Sequence, residues 1–223
     1  EKEKIRLLTR EELSMPSYGF CEKDDGTYPA AVRRMRPSDY ARAIGAVTDF
    51  EYGGSCRWWL GSSKKVSLAN CVENAGTVAT ASVNADYRAC APVVSIDLSK
   101  ELWQMKDDKT SGTGGGDNGA QEPATSVEDP QHHCTKDEDS TGDTDTTDWS
   151  YVYFGSYPQT EVKDGSLLSE LRGADYDKNQ DTWLNGIKYR RVGKGDVNNT
   201  EYFGDEDYRY FKWERIRWRV LKS

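Results

Sequence analysis

Two histidines, five cysteines and thirty-eight carboxylates are the groups through which this chain of 223 residues could do chemistry. The histidines are adjacent, His132-His133, and Cys134 follows them. Imidazole and thiolate are good ligands for zinc or copper. The trio has no second ligand pair at finger spacing and lies in a polar stretch, so neither a metal site nor any other cofactor is expected. Outside that stretch there is no histidine, which excludes a Ser-His-Asp or Cys-His site there. The cysteines are Cys21, Cys56, Cys71, Cys90 and Cys134, and none forms a C-x-x-C pair. The first four could make two disulfides in an oxidising compartment, with three connectivities open, or stay as buried free thiols. Asp175-x-Asp177-x-Asn179-x-Asp181 alternates oxygen ligands like a calcium loop. Gln180 stands where an EF-hand needs Gly, and Gly186 where it needs Glu, so a polar turn is the simpler reading.

The elements that must position these groups fall either side of one break in composition. From about 107 to 148 apolar residues nearly vanish. A Gly/Ser/Thr run at 110–119 is followed by the acidic, threonine-rich run 136–148. Such a stretch cannot bury a core and reads as a disordered tether. This divides the chain into segments 1–106 and 149–223. In the first, residues 4–8 predict a short strand. Thr9-x-x-Glu12 is a capping box opening a short helix. Residues 37–45 predict a second helix capped by Ser38 or Asp39 and stopped by Gly45. Cys56-Arg57-Trp58-Trp59-Leu60 predicts an aromatic strand, and 66–72, 77–83 and 93–98 a meander of small ones. In the second, 151–158 predicts a strand ended by Pro158, 167–173 a turn or two of helix, and 181–191 a hairpin. Asn185-Gly186 supplies the hairpin's type I′ turn. The run Ile216-Arg217-Trp218-Arg219-Val220-Leu221 alternates apolar with basic residues, a strand with one wet face. The expected class is α+β, mostly β.

Composition narrows the partners. A net charge of −8 argues against a sequence-independent hold on nucleic acid and against anionic membranes. No apolar run reaches the roughly 20 residues that span a bilayer, so no membrane insertion is expected. Thirteen Tyr and seven Trp against five Phe favour twisted sheets and binding surfaces. The chain opens Glu1-Lys2-Glu3-Lys4 with no initiator Met and is read as a fragment or a mature product.

Four runs carry a family resemblance. Phe154-Gly155-Ser156-Tyr157-Pro158-Gln159-Thr160-Glu161-Val162, with Lys212-Trp213-Glu214-Arg215-Ile216-Arg217-Trp218-Arg219-Val220-Leu221, resembles the opening half of a bacterial domain family of unknown function. Trp58-Trp59-Leu60-Gly61-Ser62-Ser63 and Cys90-Ala91-Pro92-Val93-Val94-Ser95-Ile96 are similar to its closing half, although Gly61, Ser63 and Ala91 replace the usual Arg, Pro and Arg. The family is related to C-type lectins and to formylglycine-generating enzymes. The resemblance implies a C-type-lectin-like mixed sheet with short helices, here with closing half before opening half. The chain is then either a slice of a tandem array, with neighbouring repeats as partners, or one permuted module. The redox-active cysteine motif of the formylglycine-generating enzymes is missing, so that activity is not carried over. By similarity with variable ligand-binding relatives, the region 57–88 is the ligand face, through Arg57, Trp58, Ser62, Lys64, Asn70, Asn74, Asn84, Asp86, Tyr87 and Arg88, with Ser63 and Lys65 beside them. These residue types give adaptable hydrogen bonds and rigid aromatic contacts. The expected function is a non-catalytic binding or adhesion module of a secreted or cell-surface bacterial protein, taking a protein or glycan ligand. The alternatives are an architectural spacer and a degenerate enzyme.

Overall fold

A computed structural model describes residues 5–20, 29–95, 128–133 and 146–223, with the side chains of 62–64 excepted. The described residues are mostly β. The first segment holds β1 (Ile5–Leu7), α1 (Asp39–Ala43), β2 (Thr48–Asp49), β3 (Ser55–Cys56), β4 (Trp58–Lys65), β5 (Leu68–Val72), β6 (Val78–Ser82), β7 (Ala89–Cys90) and β8 (Pro92–Val94). Then come β9 (Gln131–His133), β10 (Thr146–Asp148), β11 (Tyr151–Glu161), α2 (Gly165–Arg172), β12 (Asp181–Leu184), β13 (Ile187–Gly193) and β14 (Tyr208–Arg219). One four-stranded sheet has the order β6-β5-β4-β7 and another β11-β14-β13-β12. Antiparallel ribbons pair β1 with β8, β2 with β3 and β9 with β10.

The second sheet grows from its turn. Asn185 and Gly186 both take positive φ, 51° and 77°, which a type I′ turn demands. That fixes Leu184 opposite Ile187 and Asp181 opposite Arg190. Strand β14 then pairs with β13 on one side and β11 on the other. Two expectations are corrected here. Strand β11 runs through Pro158 to Glu161 instead of stopping at the proline. Among the described residues it is an edge strand, bonded only to β14, and an edge tolerates a residue without an N–H. The final strand is also longer than 216–221 and begins at Tyr208, because Tyr210 and Phe211 are buried sheet residues that belong to it.

The polar run 175–181 is a turn closed by its own side chains. Asp177 Oδ1 accepts from the amides of Asn179 at 2.8 Å and Asp181 at 2.9 Å. The carboxylate of Asp181, only 3% exposed, accepts from Arg190 at 2.6 and 2.7 Å and from Trp213 Nε1 at 3.2 Å, with Lys188 Nζ at 2.9 Å. Both carboxylates are thus committed to protein donors, and among the described residues no group of His, Cys, Asp and Glu forms a metal-sized cluster.

In the first segment the capping box forms as expected: the Thr9 amide donates to Glu12 at 2.8 Å and the Glu12 amide to Thr9 Oγ1 at 3.3 Å. The turn it opens is a 3-10 helix, Glu11–Ser14, whose Leu13 is buried. Leu8, Leu13, Phe20, Val32, Leu60 and Val72 surround Trp58, which is 0% exposed and donates its indole N–H to the Arg33 carbonyl at 3.1 Å. In α1, Ser38 is the cap, its Oγ accepting from the Ala41 amide at 3.1 Å.

The two segments pack against each other. Tyr40 of α1 meets Tyr157 and Phe211 edge-on, with ring centroids 5.2 and 5.4 Å apart. Asp39 Oδ2 accepts from the Glu161 amide at 3.0 Å, and Asn199 Nδ2 donates to the Arg42 carbonyl at 2.9 Å. Trp149 lies edge-on to Phe20, and Gly19, at φ 80°, leaves it room: a Cβ there would come within 2.7 Å of the Trp149 ring. Part of the stretch 107–148, read as a structureless tether, is ordered. Strands β9 and β10 lie within it, and Thr147 Oγ1 anchors β10 by donating to the Gly19 carbonyl at 2.7 Å. The runs 110–119 and 136–145 lie outside the described residues.

Two outcomes follow from this packing. Trp58→Ala is expected to cost about 3–5 kcal/mol of stability, read by urea denaturation, because it leaves a cavity and strands the Arg33 carbonyl. Asp181→Ala is expected to cost roughly 3–5 kcal/mol by leaving Arg190 and Lys188 without their buried partner. Burial alone would raise the Asp181 carboxyl, but the hydrogen bonds from Arg190, Lys188 and Trp213 outweigh it and hold it below the ordinary range. A folded-state value below the unfolded one stabilises above about pH 4, and that stabilisation is lost as pH falls through the folded value. The acid midpoint of the wild type should therefore shift less in Asp181→Ala than the neutral-pH loss of stability alone implies, since the variant has no such group to titrate.

Candidate functional site

Side chains on a strand alternate between faces, and this sorts the region 57–88. Trp58 lies opposite Val72 and Ala89 in the ladder, and Trp59 opposite Cys71 and Cys90. Trp58 and Val72 point into the core, so Trp59, Cys71 and the residues in step with them, Arg57, Glu73 and Arg88, share the other face.

On that face Glu73 is the hub. Its Oε2 lies 2.7 Å from Arg57 Nε, and its Oε1 accepts from Arg88 Nη2 at 2.8 Å. The Arg88 guanidinium stacks between Trp59, at 5.3 Å from the ring centroid, and Tyr87, at 5.2 Å. Arg57 lies over the same tyrosine at 5.4 Å. The Arg88 side chain is only 5% exposed, and its Nε and Nη1 are buried without a hydrogen-bond partner. Two cations against one carboxylate leave the cluster with an excess positive charge. Its rotamers are locked by rings and ion pairs, so it presents a rigid, aromatic and cationic surface.

The ten residues expected to face a ligand divide. Arg57, Tyr87 and Arg88 come together in this cluster. Trp58, Asn70 and Asn74 are buried, which corrects their placement on the ligand face. Asn74 works inside the fold: its Nδ2 donates to the Ser55 carbonyl at 2.8 Å, and its own carbonyl accepts from Ser55 Oγ at 2.5 Å. Asn84 is exposed beyond the end of β6. Asp86 is turned to the second segment, where it accepts from Asn198 Nδ2 at 2.7 Å. The side chains of Ser62 and Lys64, like that of Ser63, lie outside those described, and Lys65 is exposed at the end of β4. Glu73 and Trp59 were missed. The alternation Arg57, Trp59 against Cys71, Glu73 on neighbouring strands is the signal that would have found them.

The cysteines lie close by. Cys56 and Cys71 are buried free thiols, and Cys90 is free and exposed. Burial pushes Cys56 and Cys71 up to about 11, and for Cys71 the pull of Arg88 does not offset it. Cys21 and Cys134 lie outside the described residues. His133 Nε2 sits 3.4 Å from Asp148 across the β9–β10 ribbon, both of them exposed. Between the segments runs a cleft of about 1030 Å³, lined by Arg6, Tyr18, Cys90, Tyr151 and Trp218 among others. Among the described residues no helix is long and apolar enough to cross a membrane. In comparisons with models of protein families, with curated proteins and with solved structures, the chain has no match.

Proposed function

We propose that the chain is a non-catalytic ligand-binding or adhesion module of a bacterial secreted or surface protein, with a C-type-lectin-like arrangement and a protein or glycan ligand. It engages that ligand through the face formed by Arg57, Trp59, Glu73, Tyr87 and Arg88. The observation that carries the reading is the stacking of Arg88 between Trp59 and Tyr87, with Glu73 bridging it to Arg57. Rings and guanidinium groups already held in place bind with little further loss of side-chain entropy, and Tyr, Trp and Arg supply most of the energy at recognition surfaces.

The cysteines favour binding over chemistry. A degenerate relative of the formylglycine-generating enzymes needs a low-pKa thiolate, whereas burial drives Cys56 and Cys71 the other way. In the native protein at pH 8, iodoacetamide followed by mass spectrometry is expected to label Cys90 and spare Cys56 and Cys71, which react only after unfolding. Rapid labelling of either buried thiol would count for the catalytic reading.

The binding face itself is tested on printed glycan and surface-protein arrays, with each hit titrated afterwards. Tyr87→Ala and Arg57→Ala are expected to weaken a genuine hit by about tenfold or more, the range of an interfacial hot spot. Arg172→Gln, a change in an exposed ion pair on α2, serves as the control and leaves affinity unchanged. Equal affinity in a folded Tyr87→Ala Arg57→Ala double variant would sink the reading.

A further inference from the structure

A second basic site lies where the segments meet, and it shares no lining residue with the Glu73 cluster. Arg34 and Arg36, just past the 3-10 turn Ala31–Arg33, and Arg217 and Arg219 of β14 line one pocket of about 480 Å³. Glu51 is the one acid among the described residues lining it. Three of the arginines are held in place, and the fourth, Arg36, lies against Gly53. Arg34 Nε donates to the Ala75 carbonyl at 3.1 Å and the guanidinium lies over Tyr52 at 5.1 Å. Arg36 reaches Gly53, where a Cβ would stand 3.2 Å from its Nη2 and where φ is 67°. Arg217 stacks over Tyr151 at 4.5 Å and Arg219 over Trp149 at 5.1 Å.

Among the described residues no carboxylate comes within ion-pair distance of Arg36, Arg217 or Arg219. Arg36, Arg217 and Arg219 thus bring like charges to one pocket in a chain whose net charge is −8, an arrangement that an entering anion would stabilise. Arg219 is exposed on β14, with its guanidinium over Trp149. Planar guanidinium forks match the oxygen spacing of phosphate, sulfate and carboxylate, and several converging on one site select an oxyanion. The pocket's volume suits one small ligand. The net charge opposes a long polyanion laid over the surface.

We infer that this pocket binds a tetrahedral oxyanion, a sulfate or phosphate ester group carried on a small ligand, between Arg34 and Arg36 on one side and Arg217 and Arg219 on the other.

The test is isothermal titration of the full chain, with intrinsic tryptophan fluorescence as a second readout. The probes are N-acetylglucosamine 6-sulfate, N-acetylglucosamine 6-phosphate, the unesterified sugar, inorganic sulfate and a single-stranded oligonucleotide. At least one ester is expected to bind about tenfold or more tighter than the plain sugar and than inorganic sulfate, and to weaken as salt rises. Which ester wins identifies the source of the oxyanion. Arg217→Gln Arg219→Gln should lose about tenfold or more of that affinity. Arg36→Gln, which leaves β14 and its stacked rings untouched, should do likewise while keeping the wild-type melting temperature. Tyr87→Ala should bind the ester normally, which separates this pocket from the ligand face proposed above. Esters that bind no better than the plain sugar, variants that bind as well as wild type, or binding confined to inorganic sulfate or the oligonucleotide would each overturn the inference.

Discussion

The architecture depends on the seating of one aromatic ring. Helix α1 has five residues, far too few to hold together by its own hydrogen bonds. It persists because Tyr40 drives into the second sheet, edge-on to both Tyr157 and Phe211, while Ala43 joins the same core with Val192 and Phe203. Edge-to-face rings pair a positive rim with a negative face, so the contact fixes an orientation as well as burying area. Asp39 and Arg42, the neighbours of Tyr40, add polar links to Glu161 and Asn199. Residues from opposite ends of the chain thereby become parts of one body. Without that seat Arg34 and Arg36 would have no reason to stand near Arg217 and Arg219.

A second constraint acts within the first sheet. Adjacent Trp58 and Trp59 must face opposite ways on β4, and burying Trp58 obliges Trp59 to carry the outer face. The ion pairs of Glu73 and the stacked arginines follow from that choice. The outer face is thus the reverse side of the core: the same alternation that fills the interior with Trp58, Leu60 and Val72 sets Arg57, Trp59 and Glu73 in a row. A change in register by one residue would exchange the two sets, which is why the strand pairing is bound up with the surface it displays.

Much of the fold was legible where local chemistry decides it. Asn185-Gly186 specifies its hairpin, Thr9 and Glu12 their capping box, and Ser38 the start of α1, because each acts over a few residues. The extent of β11 and β14 was not legible. Pro158 ends a strand in any position but an edge, and edges are assigned by the order of strands in the sheet, which no local pattern encodes. The site divides the same way. The family resemblance pointed to Arg57, Tyr87 and Arg88, which the fold brings together, but equally to Trp58, Asn70 and Asn74, which the fold spends inside. Asn is as suited to closing a buried turn, as Asn74 does for Ser55, as it is to meeting a ligand. The alternating arginines of β14 have a sufficient local explanation as a wet strand face. Only the three-dimensional fold brings Arg34 and Arg36 opposite them.

Strand β11 forms one border of its sheet, and an unpaired border invites another chain to add a strand. Several features blunt this one. Pro158 contributes no N–H, and the ladder is irregular between Tyr153 and Ser156, where Gly155 takes φ 68°. Asp39 accepts the amide of Glu161, so α1 covers the far end. At the opposite border β12 is only four residues long. Among the described residues both borders of the sheet are thus blunted, so the surface it displays most freely is that of its side chains.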